Sequence, residues 1–122
     1  MSMKKTIVLI ITTASIILAC SKSKDAPNNE GETPLDCSTV TAKTYTTDVS
    51  PIIESKCATD GNCHGSGSMN GPGALLTYSA IFNARVNIRA AVASGEMPLT
   101  GSLTTAQKNS ILCWIDSGAL NN

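Results

Sequence analysis

Histidine and aromatic side chains are scarce in this chain. Its 122 residues hold one His, one Trp, one Phe and two Tyr. A single imidazole excludes any ligand set or catalytic relay that needs two histidines from one chain. Charge of one sign is also lacking, with nine Lys/Arg against nine Asp/Glu. No basic stripe points to nucleic acid, and no acidic run points to a cation store. The one long apolar run, Ile7 to Leu18, is too short for a comfortable membrane span. Strand signals are weak throughout, so the folded part reads as all-α.

The N-terminus reads as a targeting segment. Lys4 and Lys5 precede the apolar run, which ends in small residues as a secretory signal does. The stretch Ile17-Leu18-Ala19-Cys20-Ser21 resembles the lipobox of bacterial lipoproteins. The resemblance implies removal of residues 1–19 and acylation of Cys20 at its sulfur and new amino group. Two or more acyl chains give stable anchoring. The plainer alternative is a cleaved signal with Cys20 unlipidated. Residues 20–36 then form a tether of polar, Pro and Gly residues with almost nothing to bury. From Cys20 onward, seven Lys/Arg stand against nine Asp/Glu, a balance of −2. A partner protein would therefore dock through a local patch rather than through net charge.

Residues 37–122 form one small domain, near the size at which a core alone is marginal. So few aromatics make a staple or a bound cofactor valuable to it. Asp48 reads as the N-cap of a short helix reaching about Lys56, with Val49, Ile52 and Ile53 apolar and Pro51 in the first turn. Gly61 to Gly73, with five glycines and two serines, reads as a loop. Ser79 to Ser94 reads as helix, in one or two pieces, with Ile81, Phe82, Val86, Ile88, Ala91 and Val92 apolar and Gly95 as its stop. Glu96 to Gly101 reads as an extended loop, Pro98 biasing Met97 away from helix. Thr104 with Gln107 predicts a capping box for a last helix carrying Ile111, Leu112, Trp114 and Ile115 and ending near Gly118.

The richest stretch is Cys57-Ala58-Thr59-Asp60-Gly61-Asn62-Cys63-His64-Gly65. It holds two thiols and the only imidazole, and His64 directly follows Cys63. Covalent haem needs two thiols to take up its vinyl groups and an imidazole against the iron, and Cys-His supplies a thiol and the ligand together. The usual motif is Cys-x-x-Cys-His. Here five residues separate the thiols, a length that reaches the same points only by bulging outward, and Asp60-Gly61-Asn62 are turn formers suited to a bulge. With one histidine, a second axial ligand must be of another type. Met1 and Met3 leave with the signal. Met69 lies only five residues beyond His64, whereas Met97 has the length of chain to approach from the opposite face. Arg85 and Arg89 are either partners for haem propionates or a solvated helix face. Trp114 reads as core packing rather than an electron relay.

There are five cysteines. If Cys20 carries lipid and Cys57 and Cys63 hold haem, Cys37 and Cys113 remain, and export to an oxidising compartment predicts a disulfide between them. Two other arrangements stay open. One pairs Cys57 with Cys63 as well, with no haem. The other makes Cys57, Cys63, His64 and a further cysteine a zinc site.

The order of features from about Thr47 to Asn122 resembles small mono-haem class I c-type cytochromes. A short helix ends in Cys57, then come Cys63-His64-Gly65, a Gly-rich loop, a helix, Ser94-Gly95-Glu96-Met97-Pro98 and a Trp-bearing helix. The closing Cys113-Trp114-Ile115-Asp116-Ser117-Gly118-Ala119 looks like the end of cytochrome-c-like lipoproteins of Bacteroidetes-type bacteria. The resemblance implies thioethers at Cys57 and Cys63, His64 as proximal ligand and Met97 as distal ligand. The expectation is a three- to four-helix domain around one covalent haem c, carrying single electrons to redox partner proteins and held to a membrane by lipid on the periplasmic side or the cell surface. No nucleophile–base set accompanies it, so an enzyme is not expected. The rival expectations are a disulfide-stapled binding or structural lipoprotein without cofactor, and a Cys/His zinc module.

Overall fold

The computed structural model describes residues 35–122, in which one π-helical turn and three α-helices are the regular elements and no strand occurs. This part of the chain is all-α. The signal at 1–19, the lipidation site Cys20 and the tether as far as residue 34 lie outside the described residues.

The first helical segment begins earlier than Asp48. A π-helical turn, Tyr45–Val49, runs directly into α1, Ser50–Lys56. Asp48 is not the N-cap; its carboxylate reaches back and accepts from the Thr44 backbone N–H (2.8 Å) and from the Thr44 hydroxyl (2.8 Å). Asn122 satisfies the next two donors, its side-chain oxygen taking the Tyr45 N–H (2.9 Å) and its backbone oxygen the Thr46 N–H (2.9 Å). These partners for otherwise orphaned N–H groups allow the extra turn. Val49 and Ile53 are its fully buried face.

Helix α2, Tyr78–Ser94, is continuous. The Thr77 hydroxyl accepts from the Ala80 N–H (3.2 Å) at its start, and Gly95, with φ 76°, ends it in the left-handed region that glycine enters freely. Ile81, Ala84, Ile88 and Val92 recur three and four residues apart and are buried. Val86, expected among the apolar set, falls outside that stripe and is 69% exposed. Helix α3, Thr105–Asp116, carries both halves of its capping box: Gln107 N–H to the Thr104 hydroxyl (3.2 Å) and Thr104 N–H to the Gln107 side-chain oxygen (3.0 Å).

All four aromatic rings gather in one cluster. Tyr45 lies 5.0 Å from Tyr78 and 5.6 Å from Trp114 between centroids, and Phe82 lies 5.6 Å from Tyr78. Trp114 is core, 1% exposed. The polar tips are satisfied by the segment after α3: Trp114 Nε1–H donates to the Leu120 carbonyl (2.8 Å) and the Tyr78 hydroxyl to the Ala119 carbonyl (2.9 Å). A disulfide joins Cys37 to the buried Cys113 across 76 positions, with the Cα atoms 5.3 Å apart. Arg89 of α2 forks onto Asp116 of α3 through Nε (2.6 Å) and Nη2 (2.9 Å), a solvent-exposed pair of small energetic weight.

Two predictions follow from these ties. In the chain-entropy model a loop this long is worth about 4 kcal/mol, so the Cys37→Ser, Cys113→Ser double variant should lose stability on that scale in urea unfolding. An unchanged midpoint would show that the link constrains nothing. The second concerns acid. Hydrogen bonds from the Thr44 backbone and hydroxyl hold the Asp48 carboxyl below its ordinary value of 3.8. A carboxyl lowered in the folded state adds stability that is complete above the unfolded value and fades as pH falls toward the folded one. Unfolding midpoints measured from pH 6 to roughly pH 2 should therefore fall less steeply for Asp48→Asn than for the parent, and equal slopes would remove Asp48 from the acid response.

Candidate functional site

Helix α1 ends at Cys57. The Ile53 carbonyl accepts from both the Cys57 N–H (2.9 Å) and the Ala58 N–H (2.8 Å), and the chain then turns away. Asp60 gathers the turn. Its Oδ1 accepts from the N–H groups of Asn62 (2.7 Å) and Cys63 (3.2 Å), a local bonding habit of Asp that stabilises turns. Its carbonyl accepts from the N–H groups of Cys63 (3.1 Å) and Gly65 (2.7 Å). The His64 N–H donates back to the Cys57 carbonyl (2.9 Å). The five-residue spacer is thus looped out and closed at its base. Gly65 is buried where a Cβ would stand 2.7 Å from the Asp60 carbonyl oxygen, so only glycine fits.

His64 is held by the strand of loop that follows. Its Nδ1 lies 3.1 Å from the Gly73 carbonyl oxygen. A carbonyl only accepts, so Nδ1 is the donor in this bond and Nε2 is the ring nitrogen it leaves uncommitted. Such a bond on the far nitrogen is how proteins orient a ligating imidazole and raise its basicity. The His64 carbonyl accepts from the Leu75 N–H (2.8 Å), which lays residues 73–75 alongside. The Ser68 hydroxyl donates to the Cys63 carbonyl, and the Asn70 amide to the Asn62 carbonyl (2.6 Å).

A cavity of about 280 Å³ lies where these pieces meet α2. Cys57, His64 and Met97 line it together with Ile53, Leu75, Ile88 and Val92. Met97 arrives from the loop after α2, its N–H bonded to the Ala91 carbonyl (3.1 Å). Met69 is turned out to solvent, 94% exposed. Cys63 is half-buried and does not line the cavity. Gly71, Pro72, Asn87, Ala90 and Glu96 also line it and are exposed, so the cavity opens to solvent along that rim. Asn87 and Glu96 are polar members that sequence reading missed. Glu96 adjoins Met97, and Asn87 precedes Ile88 by one residue and Ala91 by one helical turn, a spacing that places it at the same edge.

Cys57 and Cys63 carry free thiols. Burial pushes the Cys57 thiol above its ordinary value, and the nearby Cys63 pushes the same way. Among the described residues no group of three or more His, Cys, Asp and Glu side chains is placed to hold a metal ion. Arg85 and Arg89 are engaged elsewhere: Arg85 donates to the Phe82 carbonyl (2.7 Å) and lies 4.0 Å over the Phe82 ring, and Arg89 is on Asp116. None of the aromatic rings lines the cavity.

The cavity lining thus includes one histidine, one methionine and one cysteine among aliphatic walls. Three residues able to bond or ligate a prosthetic group share this cavity, and Cys63 stands outside it. No protein family model, curated protein or solved structure matches the chain.

The close approach at Gly65 gives a direct check. Gly65→Ala forces a methyl into the Asp60 backbone and should cost about 1–3 kcal/mol in denaturant unfolding, the usual scale for overpacking. A variant as stable as the parent would show that the turn yields.

Proposed function

We propose that this chain is a single-electron carrier holding one covalent haem c, with thioethers at Cys57 and Cys63 and with His64 and Met97 as axial ligands. The observation that carries the reading is that Cys57, His64 and Met97, up to 40 positions apart in sequence, line one apolar cavity while Met69 does not. The bond between His64 Nδ1 and the Gly73 carbonyl supports it, because it leaves Nε2 as the nitrogen that would ligate.

When bound, the haem iron supplies the redox chemistry by alternating between two oxidation states. The protein's own part is threefold. His64 is oriented by the Gly73 carbonyl. Met97 offers a neutral sulfur, and His/Met ligation raises the reduction potential. Ile53, Leu75, Ile88 and Val92 exclude water from one side, while the exposed rim leaves an edge at which a redox partner protein can approach. With His64 and Met97 both holding the iron, electron transfer would be favoured over oxygen chemistry, and no enzymatic activity is proposed.

Export and lipid anchoring through Cys20 belong to the same proposal and rest on residues 4–20 of the sequence. The zinc module draws less support, because Cys37 and Cys113, its candidates for a fourth ligand, are bonded to each other. A cofactor-free binder of small apolar molecules is the reading that would remain, carried by the cavity itself.

The test is a pyridine haemochrome spectrum with denaturing mass spectrometry on the full chain, produced in a host that exports and matures c-type cytochromes. A c-type band and the added mass of one haem are expected. Met97→Ala should keep the covalent haem and lose the sulfur-to-iron absorption of the oxidised protein, and His64→Ala should lose low-spin iron. A colourless chain of apo mass would overturn the proposal.

A further inference from the structure

The spacer between the two cysteines is five residues long, yet its ends are drawn together. The His64 N–H reaches the Cys57 carbonyl at 2.9 Å, so the chain returns to the end of α1 within seven residues. One side chain spans the interior of that excursion. Asp60 Oδ1 takes the N–H groups of Asn62 and Cys63 at 2.7 Å and 3.2 Å. The Asp60 backbone takes Cys63 and Gly65 at 3.1 Å and 2.7 Å, and Gly65 is packed onto it with no room for a Cβ. Every residue from Asn62 to Gly65 is therefore referenced to Asp60 or to Cys57.

We propose that Asp60 is a positioning residue: its carboxylate fixes the backbone of Cys63 relative to Cys57, so that a five-residue spacer can bring both thiols to one rigid group. This rests on the haem reading for its purpose, and on the bonds above for its geometry. In attachment each thiol adds across one vinyl C=C. A C–S bond forms at one vinyl carbon, the thiol hydrogen ends on the other, and the S–H and one C=C π bond are consumed. No oxidant or reductant is needed while both thiols are free, as they are here. Two additions to one ring demand that both sulfurs stand at set positions. A loose spacer would allow one addition and leave the second thiol free.

Both bonds end on a single oxygen, Oδ1, so an amide can replace the carboxylate without losing either. Serine offers a weaker acceptor of the same kind, and alanine none. The full chain would be made with Asp60 as found and as Asp60→Asn, Asp60→Ser and Asp60→Ala. Thioethers per chain would be read by mass spectrometry with free-thiol labelling. Separately, haem-free protein would be titrated with phenylarsine oxide, which binds tightly only where two thiols can meet one arsenic. Expected are two thioethers for the parent and Asp60→Asn, and a growing share of chains with one thioether and one free thiol through Asp60→Ser to Asp60→Ala. Arsenical affinity should fall roughly tenfold or more in Asp60→Ala, the size expected from losing two hydrogen bonds. Asp60→Ser keeps the series readable if Asp60→Ala does not fold. Equal thioether counts and equal arsenical affinity in every variant that folds would overturn the proposal. A parent without haem but with the same graded arsenical affinities would overturn the haem reading and leave the positioning role of Asp60 standing.

Discussion

One backbone hydrogen bond, from the N–H of His64 to the carbonyl of Cys57, ties the Cys-His pair to the end of α1 beside the cavity. It works beside the Asp60 bonds that close the turn and the Gly73 and Leu75 bonds that hold His64 from the other side. With it, Cys57 is held by the last turn of a helix whose Ile53 is fully buried, and His64 inherits that rigidity. The bond then propagates forward. His64 anchors Leu75 through its own carbonyl and rests its ring on Gly73, which folds the Gly-rich stretch 65–75 over the side of the cavity. Glycine is needed at Gly65 for closeness to Asp60 and at Gly67 and Gly73 for their positive φ (76° and 98°), while Ser68 and Asn70 hold the loop by bonding to Cys63 and Asn62.

Met97 reaches the same cavity by independent means. The left-handed residue Gly95 stops α2, and the Ala91 carbonyl catches the Met97 N–H, so the chain doubles back beside the helix it has just left. Ala91 and Val92 line the cavity from that helix, so Met97 joins walls already set by the apolar stripe of α2. Two local devices, a closed turn and a capped helix end, thus bring together groups that no single motif in the sequence links.

Much of this was legible in the chain. The capping box at Thr104, the stop at Gly95, the role of Cys57 at a helix end and the loop from Gly61 to Gly73 are local signals, and local chemistry decides them. What was misread depended on partners distant in sequence. Asp48 looked like an N-cap because nothing nearby shows that Asn122 supplies acceptors for Tyr45 and Thr46. Val86 looked like core because α2 is apolar on more than one side, and only packing against the rest of the fold selects the stripe through Ile81, Ala84, Ile88 and Val92. Asn87 and Glu96 passed unnoticed because a polar residue at a cavity rim carries no pattern of its own.

The placement of the aromatics bears on why a cavity exists at all. Protein interiors pack as densely as organic crystals, and voids larger than a water molecule are few. A domain this small would ordinarily use its largest side chains to fill space. Here Tyr45, Tyr78, Phe82 and Trp114 are all spent on one cluster, tied by the disulfide at Cys113 and by the carbonyls of Ala119 and Leu120. The apolar walls of the cavity are left to aliphatic residues, among them Ile53, Leu75, Ile88 and Val92. The stability that might have come from filling it is supplied instead by a covalent link and by lacing of the segment after α3. An apolar space that no aromatic ring fills, lined by His64, Cys57 and Met97, is what the proposed haem would need to complete the core.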